Sequence, residues 1–187
     1  MVRLYVYVEG QTEQGYVATV LKRHLAAFGV WVQGAILAAS GKKHGKTHRG
    51  GGRNYRPMRD ELCNLLKLHK QPDVRFTTMF DLYALHDGFP GRDEADAIRH
   101  LSPSRIEILE REFAADINDH RFLPHIQLYE FETILLCDPE GFRLYYEKCD
   151  IQVAALGELL SADGPPEQIN DSPMTAPSKR IDKLFPG

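Results

Sequence analysis

Four apolar runs rich in β-branched and aromatic residues alternate with segments whose apolar residues recur at helical spacing. The runs cover residues 3–8, 30–39, 74–85 and 122–129. Continuous apolar runs of this length are typical of strands that are buried on both faces of a parallel sheet. Strands that alternate with helices indicate βαβ units. The sequence therefore predicts an α/β fold with a mostly parallel, four-stranded sheet and helices on both of its faces.

The domain organisation follows from the same pattern. We expect an α/β domain over residues 1–150, which carries a basic loop at 40–59 and a helical insert at 93–120. A C-terminal helix and loop segment, 151–187, is expected to pack on the same domain. In the first helix, Thr12 and Gly29 have the residue types expected of an N-terminal and a C-terminal cap.

Length and composition limit the class of protein. The chain has 187 residues, of which 43% are hydrophobic and 26% charged, and this excludes a disordered or coiled-coil protein. We see no signal-peptide pattern and no apolar run near the roughly 20 residues that span a bilayer. Three widely spaced cysteines are typical of reduced thiols. We expect a cytoplasmic protein with no membrane partner.

Charge is distributed unevenly along the chain. Residues 1–59 contain ten lysines and arginines but only two acids, a formal charge of +8, within a chain whose formal charge is −3. A cationic, glycine-rich segment suits the phosphates of a nucleic acid, although a solvated loop without a ligand is the alternative. The candidate nucleic-acid-binding residues are Lys42, Lys43, Lys46, Arg49, Arg53, Arg56 and Arg59.

Acidic residues follow three of the four predicted strands. Glu9 comes after the first, Asp81 near the end of the third, and Glu130 and Glu132 after the fourth. Ligand sites of open parallel sheets form beyond the carboxyl ends of the strands. Carboxylates that crowd together repel one another, and a divalent cation removes that cost. Oxygen ligands without nearby cysteine or histidine favour Mg²⁺ or Mn²⁺.

Two details of the predicted site at the carboxyl ends of the strands depend on local structure. If the fourth strand continues, Glu130 and Glu132 share one face, whereas a helix that begins at Phe131 separates them. Gly10 has no Cβ, so a phosphate can approach the backbone and the N-terminus of the first helix there.

The residues from Gly41 to Thr47 do not form a P-loop, because three residues instead of four separate the glycines.

Five motifs occur in order along nearly the whole chain. They are Val8-Glu9-Gly10-Gln11-Thr12-Glu13, Phe80-Asp81-Leu82-Tyr83, Asp87-Gly88-Phe89-Pro90-Gly91, Glu130-Phe131-Glu132 before Leu135-Leu136-Cys137-Asp138, and Ala176-Pro177-Ser178-Lys179-Arg180-Ile181. With these motifs the chain resembles Toprim domains. It is more closely similar to a group of Toprim-like bacterial proteins, the domain-of-unknown-function family 4276, which are distantly similar to the overcoming-lysogenization-defect nucleases.

The resemblance implies a Toprim-like, Rossmannoid fold and assigns roles to two acids. Glu9 corresponds to the Toprim glutamate, a metal ligand or general acid/base, and Asp81 to the first aspartate of the Asp-x-Asp pair. Tyr83 stands where the second aspartate is expected. Either Asp87 or one of Glu130 and Glu132 supplies that carboxylate, or the site is degraded.

Two functions follow as hypotheses. The first is a Mg²⁺- or Mn²⁺-dependent nuclease that hydrolyses DNA or RNA, with Glu9, Asp81 and Glu132 as catalytic residues and Glu130 or Asp87 as further metal ligands. Lys179 and Arg180 are expected to stabilise phosphate charge. Similarity to Toprim-like relatives also implies anti-phage defence with a separately encoded ATPase. The second is a non-catalytic module of the same fold that binds nucleic acid or a partner ATPase; a phosphatase or nucleotidyl-transfer enzyme is a third, weaker possibility.

Overall fold

The computed structural model describes residues 1–43, 46–49, 54–98, 102–163 and 176–186. The strands in these residues are β1 Val2–Val8, β2 Val30–Leu37, β3 Ala39–Lys43, β4 Lys46–Arg49, β5 Val74–Asp81, β6 Phe122–Leu123 and β7 Ile126–Gln127. Five of them form one sheet in the order β2-β1-β5-β6, with β7 also paired to β5. β3 and β4 form a separate two-stranded sheet.

The predicted α/β fold with a mostly parallel sheet is confirmed. β1 is the central strand and is parallel to both β2 and β5, and β6 is parallel to β5. β1 and β5 are mainly apolar at their buried positions, and their residues Val6, Tyr7 and Phe76 are fully buried. A continuous apolar run is what a strand with covered faces requires, because either face would otherwise expose apolar surface to water.

The sheet has five strands instead of the predicted four, because the fourth apolar run is broken at Pro124. Proline has no N–H to donate to a neighbouring strand and is excluded from the interior of a sheet. At the next residue, His125, the side chain of Thr78 takes the place of a backbone partner. The His125 N–H donates to the Thr78 Oγ1 atom at 2.8 Å, and that hydroxyl donates to the His125 carbonyl at 2.8 Å. The third predicted strand is also shorter, since β5 ends at Asp81.

The helices follow the strands in sequence. They are α1 Gln11–Tyr16, a π-helical turn Val17–Leu21, α2 Lys22–Ala26, α3 Tyr55–Leu68, α4 Arg92–Ala97, α5 Ser102–Ile117, α6 Asp150–Asp163 and α7 Pro177–Leu184. Three 3₁₀ helices cover Leu82–Ala84, Phe131–Cys137 and Pro139–Leu144. None of the helices in the described ranges is long and apolar enough to cross a membrane.

The caps of the first helical segment were predicted with mixed success. Gly29 has φ 73°, a left-handed conformation, and its N–H donates to the Ala26 carbonyl at 3.1 Å. Gly29 therefore marks the end of the helical segment, but the capping residue of α2 is Ala27, two residues earlier. The prediction of Thr12 as the N-terminal cap was wrong: the capping residue is Gly10, with extended backbone, and the helix begins at Gln11, two residues earlier than a cap at Thr12 requires.

The predicted basic loop is instead partly an antiparallel hairpin. β3 and β4 pair with Lys42 opposite Thr47 and Lys43 opposite Lys46. The polar composition of this segment concealed both strands, because it lacks the apolar alternation by which strands are recognised.

The chain packs as two compact units. The first, here the sheet unit, consists of residues 1–80 and 84–126, and the second, the C-terminal unit, of residues 81–83 and 127–187. The sheet unit contains an aromatic cluster around Phe113, whose ring lies within 4.8–6.3 Å of four others: Tyr55, Phe80, Phe89 and Phe122. Burial of such rings is a large source of stability.

The C-terminal unit has a hydrophobic core of its own. Its buried residues are Leu136, Cys149, Val153, Leu156 and Phe185. Stacking of Phe142 on Phe185, with ring centroids 4.6 Å apart, joins the last 3₁₀ helix to the end of α7. The C-terminal helices thus share their core with residues that precede the predicted boundary at residue 150.

Candidate functional site

The carboxyl edge of the sheet carries the first two predicted acids. β1 and β5 are neighbours, with Val8 opposite Met79. Glu9 follows Val8 directly, and Asp81 is the last residue of β5. The structure therefore places both acids at the ends of adjacent parallel strands, where open α/β sheets bind their ligands.

The basic hairpin begins at the same edge. β2 is parallel to β1, with Leu37 opposite Val8, and the Ala38 N–H donates to the Val8 carbonyl at 2.8 Å. Val8 immediately precedes Glu9, and Ala38 immediately precedes β3. The strand pair that carries the lysines therefore starts beside the first acid, although the two are some 30 residues apart in sequence.

Gly10 has a neighbour that the sequence did not indicate. A Cβ at this position would lie 2.7 Å from the Glu13 Oε2 atom, so the carboxylate of Glu13 occupies the space beside the glycine. Glu13 lies in the first turn of α1, where a negative charge is favourable. The predicted phosphate contact at Gly10 stays a prediction, and it requires this carboxylate to turn away.

In the C-terminal unit, residues 81–83 lie against the turn that precedes the other two acids. The Tyr83 N–H lies 3.5 Å from the Tyr129 carbonyl oxygen, and the two rings have centroids 5.4 Å apart. Tyr83, in the place of the expected aspartate, is thus packed on a second aromatic ring. A phenol does not replace a carboxylate as a metal ligand near neutral pH, because its ordinary pKa is about 10.

Tyr129 itself has a strained backbone. Its φ is 69°, in the left-handed region that bulky residues seldom adopt, and its side chain is buried. Such a conformation costs on the order of 1–3 kcal/mol and persists only where the surroundings fix it. Packing against Tyr83 provides that constraint, and the turn at Tyr129 sets the direction in which the chain enters Glu130. No sequence pattern indicated this turn.

Glu130 and Glu132 do not share a strand face. Of the two predicted alternatives, the structure has the one in which a helix, here 3₁₀, begins at Phe131. Glu130 is extended, and its Oε2 atom accepts a hydrogen bond from the Ser178 N–H at 3.2 Å. Glu132 lies half-buried in the first turn of the 3₁₀ helix. The segments that carry Asp81, Glu130 and Glu132 are thus brought together within the C-terminal unit.

Lys179 and Arg180 lie in the first turn of α7. The hydrogen bond from Ser178 to Glu130 ties this turn to the acidic segment. Lys179 is exposed and Arg180 half-buried. The predicted cationic pair therefore belongs to the same unit as three of the predicted acids, and the Ser178 amide is a contact that sequence reasoning missed.

The backbone of Asp87 contacts the first residues of α3 and its capping residue. Its carbonyl accepts a hydrogen bond from the Tyr55 N–H at 3.2 Å, and it pairs with Asn54, which caps α3 through a hydrogen bond from the Arg56 N–H at 3.4 Å. The Asp87 side chain is exposed. Its predicted role as a further metal ligand stays a prediction.

The seven basic residues predicted to bind nucleic acid lie in different parts of the fold. Lys42 and Lys43 lie in β3, Lys46 and Arg49 lie in β4, and Arg53 lies outside the described residues. Arg56 is exposed near the start of α3. Arg59 is engaged within the fold: its Nε atom lies 2.5 Å from the Asp116 Oδ2 atom, and its Nη2 donates to the Asp116 carbonyl at 3.1 Å. The prediction that Arg59 binds nucleic acid stays a prediction.

His86, next to Asp87, is a buried histidine without a hydrogen-bond partner for its Nδ1 atom among the described residues. Burial lowers the pKa of His86, and the charge of Asp87 opposes this in part. The unfolded chain binds a proton near pH 6.5, whereas the folded chain resists it to lower pH.

We expect stability to fall as the pH decreases from about 6.5 towards 5, by at most about 1.4 kcal/mol per pH unit from this group. Urea denaturation at several pH values measures the loss. A His86→Gln variant should have a flatter profile in this window, and an unchanged profile would contradict the assignment to His86.

The predicted ligands have the chemistry of a magnesium site. All of the predicted ligands are carboxylates. Among the residues that the structure describes, no three acidic, histidine or cysteine side chains are grouped closely enough to hold a metal ion. Mg²⁺ needs no protein cage, since it keeps several waters and is bound through one or two carboxylates and the phosphates of a substrate.

These features define an α/β protein with a parallel sheet, acids at its carboxyl edge and a basic hairpin beside them. The family model described as "Domain of unknown function (DUF4276)" matches residues 8–187, and the chain belongs to this family. The searches of curated proteins and of solved structures gave no match.

Proposed function

We propose that the chain is a nuclease that depends on Mg²⁺ or Mn²⁺ and hydrolyses phosphodiester bonds of DNA or RNA. The observation that supports it most is the hydrogen bond between Ala38 and Val8, because it sets the start of the basic hairpin beside Glu9. A nuclease needs acids for the reaction and cations for the backbone of its substrate. Glu9 and Asp81 follow strands that end at the edge of the sheet where ligands of such folds bind, and the hairpin begins beside Glu9.

The roles follow from the chemistry of the side chains. Asp81 and Glu132 bind the ion, which when bound supplies charge stabilisation to the phosphoryl and leaving oxygens. Glu9 accepts the proton of the attacking water as general base. Lys179 and Arg180 stabilise negative charge that develops on the phosphate. The hairpin holds the substrate through its phosphates and confers little sequence preference.

Cleavage assays test this proposal. Plasmid DNA and a structured RNA are incubated with the protein in Mg²⁺, in Mn²⁺ and in EDTA. We expect cleavage only with metal, and its loss in Glu9→Gln and in Asp81→Asn. Glu107→Gln and Glu158→Gln, at exposed positions on α5 and α6, are the matched controls and should cleave normally.

Tyr83 favours the second candidate function, a non-catalytic module of the same fold that binds nucleic acid or a partner ATPase. An aromatic ring packed on Tyr129 stands where the related pattern has a carboxylate, and this reduces the number of acids that can bind a metal. Binding of nucleic acid without cleavage, equally strong in Glu9→Gln and Asp81→Asn, would support the module and reject the nuclease.

The hairpin should dominate the salt dependence of nucleic-acid binding. Each phosphate contact that is lost lowers the slope of log K against log salt by about 0.9 for duplex DNA. Replacing Lys42, Lys43, Lys46 and Arg49 together by glutamine is therefore expected to lower the slope by about 3 to 4. Fluorescence anisotropy of a labelled duplex at several salt concentrations measures it.

The control for that variant removes four exposed cations elsewhere. Lys22, Arg23, Lys67 and Lys70 lie in or after helices that lead into the amino ends of β2 and β5, at the opposite edge of the sheet. Their replacement by glutamine should change the slope by less than about 1. Equal losses in the two variants would show that net charge alone attracts the duplex.

Cellular setting is part of the proposal. All three cysteines are free thiols, which agrees with a reducing cytoplasm. The role in anti-phage defence beside a separately encoded ATPase stays a prediction from the resemblance. Co-purification of an ATPase with the tagged protein, and loss of phage resistance in Glu9→Gln, would support it.

A further inference from the structure

Glu130 is the acid whose contact is best defined. It accepts a hydrogen bond from the backbone N–H of Ser178, 48 residues later in the chain, with a distance of 3.2 Å. Ser178 is the second residue of α7, after Pro177. An N–H at this position has no partner within its helix and needs an acceptor from outside.

α7 has no capping group of its own. Its capping residue, Ala176, has no side chain that can accept a hydrogen bond, and its first turn contains no acid. Instead that turn carries Lys179 and Arg180, and positive charges in the first turn are unfavourable to the helix dipole. The carboxylate of Glu130 supplies both the missing acceptor and a compensating negative charge.

We infer that Glu130 is a positioning residue: it anchors the first turn of α7 and thereby holds Lys179 and Arg180 at the acidic segment, while metal binding is left to the other acids. The inference rests on the proposed function and deepens it. It changes the predicted role of Glu130 from metal ligand to a support for the cationic pair that meets the phosphate.

The rest of α7 does not depend on this contact. Ile181, Leu184 and Phe185 belong to the core of the C-terminal unit, and the Phe185 ring lies 4.7 Å from that of Tyr146. Loss of the Glu130 carboxylate should therefore loosen the first turn and leave the helix folded. Variants at this position can be studied as folded proteins.

Two substitutions separate the two roles. Glu130→Gln keeps a side-chain oxygen that can accept from Ser178 but has no charge for a metal, whereas Glu130→Ala removes the acceptor. Each is compared with wild type for Mn²⁺ affinity, by calorimetry, and for affinity to a labelled single-stranded oligonucleotide in EDTA. Hydrogen exchange at the Ser178 amide measures the anchor directly. Glu158→Ala, exposed on α6, is the control.

If Glu130 anchors α7, the two variants should differ in oligonucleotide affinity and in exchange at Ser178, but not in Mn²⁺ affinity. Glu130→Gln should bind both Mn²⁺ and the oligonucleotide as wild type does, and its Ser178 amide should remain protected. Glu130→Ala should bind Mn²⁺ normally, exchange faster at Ser178 and bind the oligonucleotide about fivefold more weakly, as expected for a lost cap. Adding Lys179→Ala and Arg180→Ala to Glu130→Ala should then weaken binding less than it does in wild type, because these residues act together.

Other results would overturn the inference. If Glu130→Gln loses Mn²⁺ affinity as Asp81→Asn does, Glu130 is a ligand. If Glu130→Ala binds the oligonucleotide as wild type does, or wild type does not bind it at all, the anchored turn of α7 does not position Lys179 and Arg180 for a phosphate. Failure of the proposed nuclease is seen separately, as absence of cleavage by a wild-type protein that still shows the binding pattern.

Discussion

Replacing Phe113 by alanine is expected to lower the free energy of unfolding by about 3–5 kcal/mol. The side chain is fully buried, and its ring contacts aromatic rings from α3, β5, β6 and the segment before α4. Because these neighbours belong to separate elements, they cannot all move inward to fill the cavity. The lost burial and the remaining cavity therefore both reduce stability.

Urea denaturation followed by far-UV circular dichroism measures this loss. Phe28→Ala is the matched control, since Phe28 is 71% exposed at the end of the first helical segment. It should change the free energy of unfolding by less than about 0.5 kcal/mol. A loss in Phe113→Ala as small as in the control would show that the aromatic cluster does not hold the sheet unit together.

Gly91→Ala is expected to cost about 3 kcal/mol, from two causes that add. The φ of Gly91 is 75°, a conformation that costs an alanine about 1–2 kcal/mol. A Cβ there would also lie 2.7 Å from the Glu112 Cγ atom and 2.9 Å from its Cβ atom. The Cβ of Glu112 is fixed to the backbone of α5 and cannot rotate away, so α4 and α5 must separate, at about 1–3 kcal/mol.

Gly88→Ala isolates the first of these causes. Gly88 has nearly the same φ, 76°, but its Cβ would meet no atom within 4 Å. Its cost should therefore be only about 1–2 kcal/mol. The difference between the two variants in urea denaturation measures the close approach of α4 and α5, and equal losses would show that backbone strain alone requires glycine at position 91.

Much of the sheet unit was predictable from local sequence. The runs of β1 and β5 are rich in large apolar residues, because covered strands need apolar side chains, and this pattern is visible in a few consecutive residues. The end of the first helical segment was predictable to within two residues, because glycine is favoured in the left-handed conformation that Gly29 adopts after the helix. The two acids at the ends of these strands followed from the boundaries of the runs.

The hairpin and the contacts of Arg59 were not predicted, because they are not recorded in local apolar patterns. β3 and β4 are held by backbone hydrogen bonds, which any residue type except proline can make. Arg59 reads as a free cation in a basic segment, yet it pairs with Asp116, 57 residues away. Charge counted along the sequence does not say which charges are already paired in the fold.

The sequence by itself determined the α/β class, the central strands and the acids that follow them, since each depends on residues adjacent in the chain. Only the tertiary structure decided that Glu130 meets Ser178, that Tyr83 packs on a strained Tyr129 and that Ala38 joins the hairpin to the residue before Glu9. The physical reason is distance along the chain. A hydrogen bond or ring contact between remote segments depends on how every intervening element packs, and no local pattern records that outcome.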